Sequence, residues 1–291
     1  MDGQLLRNHA ILGITPFERP DPELAVALVR ARALAILDLG HDPRAARLAL
    51  DSVSRHVPAL RFGVRVPHDA GFDPRSLSLP PNADVVVVQS TEHLDAWRPR
   101  RVIVQVCSLE AARTAARAGA AGLIAKGAES GGTVGGLSAF ILLQQLVDEF
   151  ELPIWVQGGV GLHTAAACIA GGATGVVLDS QLALVEESTV PDAIRSAVSG
   201  MDGSETTIVG GRRVLTRAGG LPAGQDAAFA LPFARRFRTA GGVVRAIDRH
   251  IASHITDATR LRPLGPGSPF AEAHRIAYPI AHRGCRRRKG R

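Results

Sequence analysis

Three glycine-bearing stretches hold the residues whose types and spacing suit ligand chemistry. The run AKGAESGGTVGG (125–136) sets Lys126, Glu129 and Ser130 in a frame of Gly127, Gly131, Gly132, Gly135 and Gly136. Backbone without Cβ atoms can approach a flat ligand closely, and ordering so many glycines has an entropic cost. A flexible connector is the plainer reading, but it would not require Glu129 and Ser130 inside that frame. The second stretch, WVQGGVGLHTAAA (155–167), passes from an apolar run through Gly158, Gly159, Val160 and Gly161 into a helical pattern starting near His163. Amides freed by such a turn, with the positive end of a helix, bind a phosphoryl group without any lysine or arginine. In the third, GVVLDSQLAL (175–184), Asp179, Ser180 and Gln181 directly follow another apolar run. His163 reads most simply as a helix-start residue.

Such turns need parallel strands to bring them together. Eight short apolar runs alternate with helical patterns: residues 10–14, 34–40, 60–66, 83–89, 101–106, 121–126, 152–157 and 174–179. Several are apolar on both faces, as strands buried in a parallel sheet are. The segments DPELAVALVRARA, with Pro22 in a first-turn position after Asp21, and LEAARTAARAGA, ending at Gly119, read as covering helices. Eight strands of this kind predict a closed (β/α)8 TIM barrel, because closure leaves no edge exposed, with an open doubly wound sheet as the alternative. In such barrels the loops after the strands form the active face, and phosphate binding after strands seven and eight is common. The expected organisation is a barrel over 1–200, a hairpin and helical appendage over 201–260, with the hairpin turning at Gly210 and Gly211, and a Pro/Gly linker with a basic tail over 261–291.

Composition narrows the classes. With 46% hydrophobic but only 4% aromatic residues, the core must be built from Ala, Val, Leu and Ile. The formal charge is +7, yet Arg283, Arg286, Arg287, Arg288, Lys289 and Arg291 supply six of those positive charges at the very end of the chain. The rest is close to neutral, which argues against a specific nucleic-acid surface. Cys107, Cys168 and Cys285 share no metal-type spacing and no disulfide framework, as expected of a cytoplasmic protein, and neither an export signal nor a membrane span is evident.

These features resemble the nitronate monooxygenase (2-nitropropane dioxygenase) family of FMN barrels, which includes the enoyl-acyl carrier protein reductase II enzymes. The likeness covers most of residues 10–185 and rests on ILGITPFERPDPELAVAL (11–28), FGVRV (62–66), the ESGGTVGG loop and the paired GGVG and GVVLDSQLAL segments. More narrowly, KGAESGGTVGG and FILLQQLVDEFELPIWVQGGVGLHTAAA look like the barrels embedded in polyketide and polyunsaturated fatty acid synthases. The resemblance implies a flavin phosphate on Gly158, Gly159, Val160, Ser180 and Gln181, and a ring over Gly13, Ile14 and Thr15 beside the loop of Glu129, Gly131 and Gly132. Gln89 and Gln105 end apolar strands, where an uncommitted amide is costly to bury. They read as ring or substrate contacts, or as hydrogen bonds to a neighbouring loop. Lys126 either approaches the flavin or points outward with its stem over apolar surface.

Two departures stand out. Arg65 replaces the asparagine often found in the family's third strand, and a buried guanidinium needs an anion, either the electron-rich flavin edge or a loop carboxylate. Thr133 stands where the resemblance implies a catalytic histidine, and a threonine hydroxyl cannot serve as a base near neutral pH. The expected activity is that of an FMN-dependent, enoyl reductase-like oxidoreductase on carrier-held acyl chains, with NADPH or NADH as electron donor and synthase components as partners. The alternatives are a nitronate monooxygenase using oxygen, or a synthase module that has lost its chemistry. Tyr278, Pro279 and Ile280 look like the opening strand of a second such barrel, abandoned at HRGCRRRKGR, as a truncated synthase would be.

Overall fold

The computed structural model describes residues 10–216, 220–261 and 267–275. Its centre is a closed parallel barrel. The first half comprises β1 (Ile11–Ile14), α1 (Pro22–Arg30), β2 (Leu34–Asp38), α2 (Pro43–His56), β3 (Phe62–Arg65) and β4 (Ala83–Val88). The second half follows as β5 (Arg101–Val106), α3 (Leu109–Arg117), β6 (Gly122–Lys126), the short β7 (Gly132–Thr133), α4 (Ala139–Glu149), β8 (Ile154–Gln157), α5 (Leu162–Ala170) and β9 (Gly175–Leu178). The staves are β1 to β6, β8 and β9, with β9 closing onto β1 through Gly13 opposite Leu178. All eight expected strands are therefore barrel staves, and the open sheet is excluded.

Local chemistry starts the helices where the strands require it. Asp21 accepts from the Leu24 amide ahead of Pro22, and Asp42, Ser108 and Ser138 cap α2, α3 and α4 in the same way. The alternation is incomplete, however. Only the 3₁₀ turns Pro74–Ser76 and Leu94–Trp97 follow β3 and β4, where covering helices would complete the repeat.

Leu12, Ile14, Leu34, Ile36, Val85, Val87, Ile103, Ile124, Trp155 and Val177 fill the barrel interior. Trp155 on β8 is fully buried, and the staves on either side make room for it with glycine. A Cβ on Gly122 would lie 2.9 Å from its Cζ3, and one on Gly175 2.7 Å from its Cδ1. A larger apolar shell packs the outer strand faces against the helices.

Beyond the barrel come α6 (Asp192–Ser199), a hairpin of β10 (Thr206–Val209) and β11 (Arg212–Leu215), α7 (Ala230–Phe237) and α8 (Ala240–Leu261). The hairpin turns at Gly210 and Gly211, with φ of 57° and 76°. Its second strand pairs with β7, setting Arg212 opposite Thr133 and Arg213 opposite Gly132. A small core of Phe17, Ala183, Leu184, Val198, Leu215 and Ala223, among others, fastens this appendage to the barrel. The chain divides into two compact units, Met1–Ile251 and Ala252–Arg291. In the second, α9 (Pro269–His274) is capped by Ser268, whose hydroxyl accepts from the Ala271 amide at 3.3 Å. The YPI segment and the basic tail lie outside the described residues, as does much of the Pro/Gly-rich stretch.

Candidate functional site

The C-terminal ends of the staves carry buried polar side chains that join into one chain of contacts. Arg65, at the end of β3, donates to the Asp38 carboxylate at the end of β2 and reaches Glu18 Oε1 at 3.3 Å. Its Nε donates to Gln105 Oε1 at 3.1 Å, the Gln105 amide donates to Gln157 Oε1 at 2.6 Å, and the Gln157 amide donates to Asp179 Oδ2 at 2.7 Å. Two cations and three carboxylates thus meet in the barrel mouth once Lys126, at the end of β6, is included. The cavity among them is partly open to solvent and measures about 30 Å³, room for about one water.

Charge and burial set the protonation states. Burial opposes the Arg65 charge, but Asp38 and Glu18 outweigh it and lift the guanidinium above its ordinary range. Burial would raise Glu18, yet Arg65 and Arg212 together hold it below the usual carboxylate range. Lys126 is 1% exposed. Burial first, then Arg65, bring its pKa down to about 8. Burial pushes the neighbouring Cys107 thiol up, with Lys126 pulling the other way.

The two glycine turns lie side by side. Gly158 and Gly159, after β8, take φ of 107° and 65°, values that favour glycine. At Gly158 a Cβ would lie 2.5 Å from Ser130 Oγ, whose hydroxyl donates to the Gln157 carbonyl at 2.8 Å. After β9, Ser180 N–H donates to Asp179 Oδ1 at 2.5 Å, and the Gln181 side chain accepts from the Asp179 amide at 2.8 Å. Gln181 then bridges the turns, its Nε2 donating to the Val160 carbonyl at 3.0 Å.

The space between the turns is filled by the chain itself. The same Gln181 nitrogen donates to Asp226 Oδ2 at 3.1 Å, while Asp226 Oδ1 is buried with no hydrogen-bond partner. Burial, then the Asp179 charge, push the Asp226 carboxyl well above the usual range, with its own amide and that of Gly159 pulling the other way. Gly224 N–H donates to Ser180 Oγ at 3.4 Å, Gln225 N–H donates to the Glu129 carbonyl at 2.8 Å, and Ala223 Cα lies 2.8 Å from where a Gly131 Cβ would be. Glycine amides beside a serine hydroxyl suit a phosphoryl group in donor chemistry. In this arrangement residues 222–226 take up the room, and neither a phosphate nor a flavin ring fits until they move.

The remaining expected site residues divide. Thr15 is buried and holds the mouth together, its Oγ1 accepting from the Asp38 amide at 2.8 Å and donating to the Arg19 carbonyl at 3.0 Å. Ile14 and Gly131 line the small cavity with Lys126. Gly132 lies beside it, where a Cβ would come 3.5 Å from Lys126 Nζ. Glu129 turns its carboxylate away to the start of α4, accepting from the Ala139 amide at 3.0 Å. Gly13 is bare on its outer side, where a Cβ would meet Leu28 of α1 at 2.7 Å. Gln89, just past β4, lines a separate cleft of about 470 Å³ with His68 and Glu92. Thr133 is a rung of the β7 and β11 pairing, with Arg212 Nη1 3.5 Å from its hydroxyl. Asp38, Gln157, Glu18, Arg212 and Asp226 were missed. The first two carry the signal that marked Gln105, a polar residue ending an apolar strand; the other three come from loops and the hairpin and carry none.

The closed parallel stave set and its C-terminal mouth, with glycine turns after the last two staves, define a (β/α)8 barrel. Residues 81–219 match the family model described as nitronate monooxygenase. The match agrees with the resemblance read from the sequence: over that segment the chain is similar to the nitronate monooxygenase family. It is also 31% identical, over 156 residues, to the (3aS,4S,5R,7aS)-5-hydroxy-7a-methyl-1-oxo-octahydro-1H-indene-4-carboxyl-CoA dehydrogenase of Rhodococcus jostii, covering 50% of this chain and 44% of that protein. The same-named protein of Mycobacterium tuberculosis is 31% identical over 207 residues, covering 69% of this chain and 51% of that one. The chain thus spans about half the length of these curated relatives. Among solved structures, FabK from Thermotoga maritima shares the fold with a TM-score of 0.77 at 20% identity, over 88% of this chain and 97% of its own. Nitroalkane oxidase from Streptomyces ansochromogenes does so with a TM-score of 0.75 at 19% identity, over 87% and 99%. Among the described residues, no helix is long and apolar enough to cross a membrane.

Proposed function

We propose that the chain is an FMN-dependent oxidoreductase acting on acyl groups held as thioesters, with Lys126 as its proton donor. The observation that carries this reading is the side-by-side placement of the turns after β8 and β9, bridged by Gln181, at the end of the barrel where Lys126 is buried. The Gly158 and Gly159 amides and the Ser180 hydroxyl would hold the flavin phosphate. The bound flavin would supply hydride transfer.

The protein side of the chemistry follows from the strand ends. An ammonium with a pKa of about 8 is mostly protonated at neutral pH and gives up its proton readily, which suits a general acid. Thr133 cannot take that role, because its hydroxyl lacks the pKa and lies in the sheet pairing. Gln105 and Gln157 fix the polar groups around Lys126 and exclude bulk water from them. The names of the curated relatives support a thioester substrate, here an acyl chain on coenzyme A or a carrier protein, within polyketide or lipid synthesis in the cytoplasm. The electron donor in this reading is NADPH or NADH.

The filled mouth favours a second reading, a synthase module without flavin chemistry. The visible spectrum of the purified protein after incubation with FMN, followed by NADPH or NADH consumption with an enoyl thioester, separates the two. Flavin uptake with thioester-dependent consumption supports the first reading. A protein that stays colourless and inert supports the second, and oxygen uptake with a nitronate would instead indicate nitronate monooxygenase activity.

A further inference from the structure

We infer that residues 222–226 are a built-in plug of the phosphate seat, in which the Asp226 side chain occupies the position a phosphoryl group would take, so that plug and phosphorylated ligand exclude one another. The inference rests on the flavin reading above for the identity of that ligand. Its structural basis is independent of it.

The segment is fixed at each step by groups that belong to the seat. Gly224 uses the Ser180 hydroxyl, Gln225 uses the Glu129 carbonyl, and Asp226 uses the Gln181 amide that also spans the two turns. Phe229, just past the segment, lies against Gly161, where a Cβ would come 3.3 Å from its ring. Of these groups the Gln181 amide donates to the Asp226 carboxyl, while the Ser180 hydroxyl and the Glu129 carbonyl accept from the backbone amides of Gly224 and Gln225.

The Asp226 carboxyl group is poorly served in return. Asp226 is 2% exposed, one of its oxygens has no hydrogen-bond partner, and Asp179 and Glu129 add negative charge nearby. A purely structural residue at this position would be better satisfied, since a buried polar atom without a partner costs stability. A side chain held in a site shaped for a larger, better-coordinated anion would show this mismatch. Gly220, two residues before the segment, takes φ of 77°, a turn that favours glycine. Ligand entry therefore requires residues 222–226 to leave, and the measured affinity is reduced by the fraction of molecules in which the plug is seated.

The test uses the full chain as wild type, Asp226→Ala and Asp226→Asn, each titrated with FMN and with riboflavin, which lacks the phosphate. Thermal unfolding serves as a check of folding, and Asp226→Asn preserves side-chain size should the alanine variant not fold. The expected result is FMN affinity rising in the order wild type, Asn, Ala, by about tenfold or more overall, with riboflavin affinity little changed. In wild type, saturating FMN should also speed amide hydrogen exchange at Gly224 and Gln225. Equal FMN affinity in all three proteins, with those amides still protected, overturns the plug and leaves the flavin reading standing. If none of the three takes up FMN, the flavin reading itself falls and the inference falls with it.

Discussion

Arg65 and Asp38 form an ion pair buried at the barrel mouth, the guanidinium 5% exposed and the carboxylate not exposed at all. Of the two partners the sequence left open for Arg65, a flavin edge or a carboxylate, it has carboxylates: Asp38, and Glu18 from the loop after β1. Removing one member of a buried pair leaves the other charge without compensation. Arg65→Ala should therefore lower unfolding stability by roughly 3–5 kcal/mol. Chemical denaturation measures this, and a loss below about 1 kcal/mol would show that the pair is not the clamp described.

Lys126 gives a pH dependence of known sign. Its folded pKa of about 8 lies below the ordinary 10.5, so between those values the folded state binds fewer protons than the unfolded chain. Its contribution to stability therefore rises with pH across that window, and below about pH 8 the buried ammonium carries its full penalty. Lys126→Met should gain most over wild type below pH 8, with the gain shrinking towards pH 10 in thermal unfolding scans. If Lys126 is the proton donor, thioester reduction by wild type should also decline above about pH 8, and the methionine variant should lose turnover while retaining FMN affinity. A pH-rate profile unchanged by the substitution would remove Lys126 from the reaction.

The barrel was legible because its strands are apolar on both faces and end abruptly in Gly, Asp, Gln or Lys. Gln105, Lys126, Ser180 and Gln181 could be read as site residues for the same reason, each lying at or just past the end of an apolar run. Gly13 misled because strand alternation turns it towards Leu28 while Leu12 and Ile14 face inward. Gln89 misled by a single position, since β4 ends at Val88 and the next residue turns into the neighbouring cleft. Thr133 was read as a reaction position, but a hairpin some 80 residues later in the chain adds a strand to it. No local pattern encodes that pairing, nor the arrival of Glu18 and Asp226 at the mouth.

Asp226 titrates in the opposite sense to Lys126. Burial and Asp179 raise its folded pKa well above the ordinary aspartate range, so the folded state binds more protons than the unfolded chain. Its contribution is most favourable at acid pH and is lost as pH rises from the ordinary range through the raised value. Asp226→Asn removes the ionisation, so its stability relative to wild type should improve as pH rises from 4 towards neutrality, with little difference at the acid end. Melting temperatures at matched ionic strength test this, and a difference that is flat with pH would mean that the carboxyl is not held in the environment described.

Arg212 separates access to the mouth from stability of the fold. From the hairpin it reaches Glu18 Oε2 at 2.9 Å, tying the appendage to the loop after β1 across the barrel opening. The pair is partly open to solvent on the arginine side, 29% exposed, so its contribution is small, about 1 kcal/mol or less. Glu18 keeps Arg65 when Arg212 is removed, and no buried charge is orphaned. Arg212→Ala should consequently leave the unfolding midpoint nearly unchanged, while Glu18 loses one of the two cations that depress its pKa. Because the hairpin then holds the mouth through β7, its small core and the Arg213 contact with the Ala128 carbonyl but no longer through Glu18, FMN association should be faster than in wild type, measured by stopped-flow quenching of flavin fluorescence. An unchanged association rate alongside unchanged stability would mean that ligands reach the seat by a path the hairpin does not cover.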